Sequence, residues 1–142
     1  MQDSCGLDAN VLLFLLWLAR NRRVADAAEL AGVLRNTRDW QAEVIAVLRS
    51  LRRKTKNGAY VAFQDGVDLL RAKIKTLELD AERVEQDHLY ALAADPAFGH
   101  AGGTVENATV MNLALYESAL GCAFPAAATE TLRRALNATQ TP

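Results

Sequence analysis

With 3 prolines and 8 glycines in 142 residues, the chain has little punctuation, and β-branched runs are scarce while alanine and leucine abound. That leaves no room for a fold built on many turns and favours an all-helical class. The 2 cysteines, Cys5 and Cys122, stand far apart and match no metal or redox spacing. No basic stretch followed by an apolar run and a small-residue cleavage site opens the chain, so no secretory leader is expected. The most apolar run, Val11 to Ala19, has nine residues; crossing a bilayer takes roughly 20. A cytoplasmic protein with no membrane contact and both thiols reduced is therefore expected. Also missing are a phosphate-binding glycine loop, a serine nucleophile elbow, zinc-ligand spacing and the twelve-residue calcium loop.

What is present suits a single helical domain. Half of the residues are hydrophobic (51%) and 23% are charged, an ordinary globular balance for a chain long enough to bury its core unaided. The organising stretch runs from Asp8 to Arg23. Asp8 is a capping residue, the apolar run comes next, and Arg20, Arg22 and Arg23 close it near the negative end of the helix. A helix over about 9–21 is expected at the centre, buried on all sides, with Leu13, Leu16 and Trp17 in the core. Gly6 suits a left-handed turn ahead of it, and Asn10 falls in its first turn.

The remaining helices come in order. Asp26 and Glu29 have capping-box spacing, which predicts a short helix over about 27–34. Asn36 to Asp39 restarts the chain, and a third helix runs to about Lys54 with Trp40, Val44, Val47, Leu48 and Leu51 facing inward. Lys56-Asn57-Gly58 breaks it. From about Tyr60 to residue 94, Phe63, Val67, Leu70, Ile74, Leu77, Ala81, Val84, His88 and Ala91 alternate steps of four and three, a heptad seam. A glycine-containing loop over 96–103 leads to a helix opened by Thr104 or Glu106 and ended by Gly121. A last helix covers about 126–137, with a frayed tail from about 138. The sum is an all-α single domain, 1–142, a bundle of five or six helices.

Charge is unevenly spread. Residues 1–75 carry 13 Lys/Arg against 8 Asp/Glu, and residues 76–142 carry 3 against 9. Attraction between the two halves within one fold is the favoured reading, ahead of a basic face for an acidic partner. Arg49, Arg52, Arg53 and Lys54 form the candidate interaction cluster. They end a helix, where the macrodipole favours cations anyway, and no recognition motif accompanies them, so nucleic-acid binding is not expected.

Glu85 and His88 have the Glu-x-x-His spacing of carboxylate-bridged metal sites, and Glu78 and Glu82 lie one and two turns earlier on nearly the same face. A second such motif is missing, and His100, the other histidine, sits in the glycine-containing loop. Glu82, Glu85 and His88 are thus weak metal candidates; a solvated glutamate stripe with no metal and no cofactor is the expectation.

The segments Gln2-Asp3, Gly6, Asp8, Asn10, Leu12 to Phe14 and Trp17 to Ala19 resemble the signature of a bacterial family of unknown function, found mainly in proteobacteria. The likeness continues at Trp40 to Arg53, Glu78 to Gln86 and Asn112 to Tyr116. It implies an all-helical domain, gives Asp3, Gly6, Asp8, Asn10 and Trp17 as its structural motif, and assigns no activity. Members of that family usually carry a further amphipathic helix ahead of the position of Gln2. The sequence begins almost on the motif, so either its start site is misassigned or this member lacks that helix; a lack is expected to leave Leu12, Phe14 or Leu15 facing water, to be covered by the last helix or by a second copy in a homodimer. A cytosolic, non-catalytic interaction or adaptor protein is the leading functional reading. The alternative is a small-molecule- or metal-binding protein, an enzyme included, that uses Glu78, Glu82, Glu85 and His88.

Overall fold

The computed structural model describes residues 5–56, 58 and 60–138. The described residues form helix α1 (Ala9–Arg20), strand β1 (Arg23–Val24) and helix α2 (Ala27–Trp40). A π-helical segment, Gln41–Ile45, joins α2 to α3 (Ala46–Lys54). A 3-10 turn at Val61–Phe63 leads into α4 (Gln64–Ala94), followed by β2 (His100–Ala101), α5 (Val105–Leu120) and α6 (Ala126–Ala138). The all-α class holds. Asp3, Asn57 and the tail beyond Ala138 lie outside the described residues. The helices pack into two compact units, one of the residues up to Leu34 with those from Leu89 onward, the other of Arg35–His88.

The first unit has α1 in its core. Val11, Leu15 and Leu18 are fully buried, and Phe14 and Leu16 nearly so. They pack with Leu30, Val33 and Leu34 of α2, Leu113 and Tyr116 of α5, and Phe124. Leu132 and Leu136 of α6 lie against the same cluster. Burial is not all-round, however: Leu13 is 61% and Trp17 40% exposed. The uncovered side of α1 thus carries Leu13 and Trp17, whereas Phe14 and Leu15 are inside and Leu12 is half-buried. An unbroken apolar run has no period, so the sequence could not show which side faces out. The Trp17 ring meets Tyr90 edge-on, with centroids 6.4 Å apart.

Local signals set the helix ends as expected. Gly6 has φ +65°, and Asp8 Oδ1 accepts from the Asn10 amide at 2.9 Å. Asp26 and Glu29 close a reciprocal capping box, at 2.8 and 2.9 Å. Thr104 caps α5 by accepting from the Asn107 amide, and Gly121 ends it at φ +69°. The predicted break at Asn36 does not occur. No glycine or proline lies between Gly32 and Gly58, and the helix runs on through the buried Thr37.

Three polar side chains tie the loops of this unit to its core. Asn112, fully buried, donates to the Leu15 and Arg23 carbonyls and accepts from the Ala25 amide. Tyr116 Oη accepts from the Asp8 amide at 2.9 Å and lies 3.2 Å from its carbonyl as a donor. The Arg23 guanidinium donates to the carbonyls of Ala93, Asp95 and Phe98. β1 and β2 pair antiparallel, Arg23 with Ala101 and Val24 with His100.

Cys5 and Cys122 are joined by a disulfide, with Cα atoms 6.2 Å apart. This corrects the expectation of two free thiols. The contact of Asp8 with Tyr116 holds the start of α1 against the end of α5, and the turns at Gly6 and Gly121 lie beside the two cysteines. A separation of 117 residues concealed that proximity. None of the described helices is long and apolar enough to cross a membrane.

Candidate functional site

The second unit contains most of the predicted site residues. Its geometry starts at the π segment, which leads from the end of α2 into α3. Ile45 is fully buried, but Val47 is 50% and Leu51 44% exposed. Trp40, Val44 and Leu48 are half-buried. The inward face expected for this helix is therefore corrected at Val47 and Leu51. A regular 3.6-residue count carried through residues 41–45 misplaces the later positions of α3.

A second correction concerns α4. Its buried positions in this unit are Ile74, Glu78, Ala81 and Glu85. Of the predicted seam, Ile74 and Ala81 face inward, while Phe63, Leu70, Leu77 and Val84 are 50–69% exposed. His88 and Ala91 are exposed as well. The glutamates are not a solvated stripe, because Glu78 and Glu85 are 6% and 3% exposed. Cations and amides on the facing helix compensate for burying them. Arg52 Nε donates to Glu78 Oε2 at 2.6 Å and Arg49 Nε to Glu78 Oε1 at 3.0 Å. Arg49 also reaches Glu82 at 3.3 Å. Hydrogen bonding to Arg52, aided by Arg49, holds the Glu78 carboxyl below the usual carboxylate range against the opposing effect of burial. The same bond raises the Arg52 pKa above its ordinary value.

These contacts give the basic cluster a structural task. Arg49 and Arg52 from the first half of the chain meet Glu78 and Glu82 from the second, the attraction expected from the charge asymmetry. Arg53 and Lys54 are exposed. Among the described residues, no group of three or more His, Cys, Asp or Glu side chains is placed to hold a metal ion.

Toward the α2 end of the hairpin a cavity of about 290 Å³ opens, lined by Asn36, Thr37, Trp40, Val84, Glu85 and His88. The Trp40 indole N–H donates to the Ala81 carbonyl at 2.9 Å, and Gln41 Nε2 donates to Glu85 Oε2 at 2.7 Å. The structure thus brings Glu85 and His88 to one cavity and places Glu78 and Glu82 in a separate ion-pair network. Asn36, Thr37 and Gln41 were not anticipated as site residues. Their only signal was polarity on a helix face opposite Glu85.

Residues 1–89 match a family described as protein of unknown function, DUF2390. The chain belongs to that family. The matched segment takes in α1, α2, α3 and the part of α4 that carries Glu78, Glu82, Glu85 and His88. No curated protein and no solved structure matches the chain.

Proposed function

We propose that this DUF2390 protein is a non-catalytic interaction protein that works through the outward stripe of α4, and that a second copy of the chain occupies that stripe. The observation that carries the reading is the spacing of Leu70, Leu77 and Val84. They recur every seven residues and are 50%, 53% and 54% exposed. Seven-residue spacing keeps side chains on one side of a helix, and large apolar side chains grouped there in water mark a contact surface.

The stripe is self-complementary. An antiparallel pairing about Leu77 sets Leu70 against the partner's Val84, and Lys73, beside the stripe, opposite the partner's Asp80. Both ends of the pairing are then equivalent, as a twofold interface requires. The engagement of Glu78 and Glu82 by Arg49 and Arg52 favours this over a metal-dependent activity at those carboxylates.

Sedimentation equilibrium on the order of 100 µM, above the micromolar constants of a modest interface, tests the proposal. The expected result is a dimer of the 15.5 kDa chain, dissociated by Leu77→Glu. Lys73→Glu should weaken pairing, and the combination Lys73→Glu with Asp80→Lys should restore it. A 15.5 kDa monomer at that concentration, or a double variant no better than the single one, would overturn the proposal.

A further inference from the structure

Residues 44–64 hold five cations, Arg49, Arg52, Arg53, Lys54 and Lys56, and no Asp or Glu. Arg49 and Arg52 are engaged by Glu78 and Glu82. Arg53, Lys54 and Lys56 are exposed, and no carboxylate among the described residues pairs with them. Gln41 faces Glu85 and Arg52 faces Glu78, so the end of α3 and the start of α4 fall at one end of the hairpin. Lys56 stays on the last turn of α3 through its amide bond to the Arg53 carbonyl. The 3-10 turn follows close by, since a Cβ added at Gly58 would lie 3.9 Å from Val61 Cγ2. It holds large apolar side chains in water: Tyr60 is 48%, Val61 74% and Phe63 69% exposed. We propose that this end of the α3–α4 hairpin docks on the surface of an anionic lipid bilayer, with Arg53, Lys54 and Lys56 on the headgroups and Val61 and Phe63 in the interfacial layer.

The combination of charge and apolar exposure leads to that partner. A nucleic acid would meet the cations and could stack on the two rings, but it offers nothing to Val61, the most exposed of the three. An apolar groove on another protein would not call for three unpaired cations. A bilayer with anionic lipid supplies both, negative headgroups above an apolar layer. Tyr60, an apolar ring with a polar tip, suits the boundary between them. Lying on a bilayer needs no spanning run, so the lack of one among the described helices has no bearing on surface contact. Asp65 and Asp68, in the first turns of α4, oppose the attraction and are matched in number by Arg71 and Lys75. The pairing proposed above runs from Leu70 to Val84 and leaves this end of the hairpin uncovered.

The test is co-sedimentation of the full chain with vesicles of phosphatidylcholine, alone or with about 30% phosphatidylserine, at about 100 mM salt. Each cation near an anionic surface is worth about a fivefold gain, so three should favour the phosphatidylserine vesicles by about a hundredfold. Arg53→Gln, Lys54→Gln and Lys56→Gln together should erase that preference. Val61→Ser with Phe63→Ser leaves the charge unchanged and should weaken binding at least about tenfold. All five positions are exposed, so circular dichroism should show helicity retained in both variants. Val61→Trp should add an emission component that moves to shorter wavelength on the phosphatidylserine vesicles. No binding to those vesicles overturns the proposal, as does equal binding to both compositions, full binding by the serine variant or an unshifted Val61→Trp spectrum. Duplex RNA bound more tightly than the vesicles, and equally well by the serine variant, would assign the patch to nucleic acid and overturn it too.

Discussion

Glu78 and Arg52 meet across the α3–α4 hairpin at 2.6 Å, one side chain almost wholly buried and the other about a quarter exposed. Arg49 completes the arrangement from one turn earlier on α3. The hairpin is therefore joined through a carboxylate that must stay ionised. Because the folded-state carboxyl titrates below the unfolded one, its contribution is present above about pH 4.3 and is lost as the pH falls through the folded-state pKa. Urea midpoints should drop below about pH 4. Glu78→Gln should flatten that part of the profile and lower the neutral-pH midpoint, since two guanidinium groups lose their charged partner. Parallel wild-type and variant profiles between about pH 3 and 5 would assign the acid transition to another group.

A larger effect is expected at Asn112. It satisfies three backbone groups that are otherwise enclosed, at Leu15, Arg23 and Ala25. Asn112→Ala should destabilise the protein by about 3 kcal/mol or more, because each orphaned buried group costs about 1–3 kcal/mol. Asn112→Leu should be no better despite its volume. Tyr116→Phe, which removes one hydroxyl from the Asp8 contact, should cost about 1–2 kcal/mol. Denaturant unfolding of the three variants measures this order, and an Asn112→Leu variant as stable as the wild type would refute it.

The Cys5–Cys122 bridge makes a separate prediction. Reducing it should lower unfolding stability by about 2–4 kcal/mol, with close to 5 kcal/mol as the chain-entropy limit for so long a loop. The paired variant Cys5→Ser, Cys122→Ser should match the reduced protein and gain nothing from removal of reductant. Iodoacetamide applied to the native protein without reductant should label neither cysteine. Full alkylation under those conditions would show that the thiols are free.

The features legible in the sequence were local ones. Asp8, the Asp26–Glu29 box, Thr104 and Gly121 act on backbone groups within a few residues, so their spacing alone places the helix ends. The choice of buried face was less legible, because it depends on a neighbouring helix. On α4 the apolar residues with seven-residue spacing point outward, and two glutamates point inward. A hydrophobic count reverses that choice unless the arginines of α3 are known to face them. The π segment added a local change of phase that no residue type announces. Cys5 and Cys122 are brought close by the tertiary packing of α1 against α5, the Tyr116–Asp8 contact included. At the cavity, Glu85 and His88 were legible through their spacing; Asn36, Thr37 and Gln41 became visible only once α2 continued unbroken past residue 34.

The one-sided burial of α1 gives the last prediction. Leu15 is fully buried and Leu16 nearly so, while Leu13, on the same helix and of the same size, is 61% exposed. Truncating a buried leucine costs its transfer free energy together with the cavity left behind, about 2–5 kcal/mol. Leu15→Ala and Leu16→Ala should fall in that range, Leu15→Ala at the upper end because it packs among Val11, Leu30 and Leu113 in a closed cluster. Leu13→Ala changes a side chain already in water and should stay within about 0.5 kcal/mol. Helix propensity cannot produce that contrast, since the substitution is the same at each position. Urea melts of the three variants at a protein concentration low enough to keep the chain monomeric isolate the folding term. Equal losses at Leu13 and Leu15 would mean that α1 is enclosed on both sides, and the outward position of Leu13 and Trp17 would be wrong.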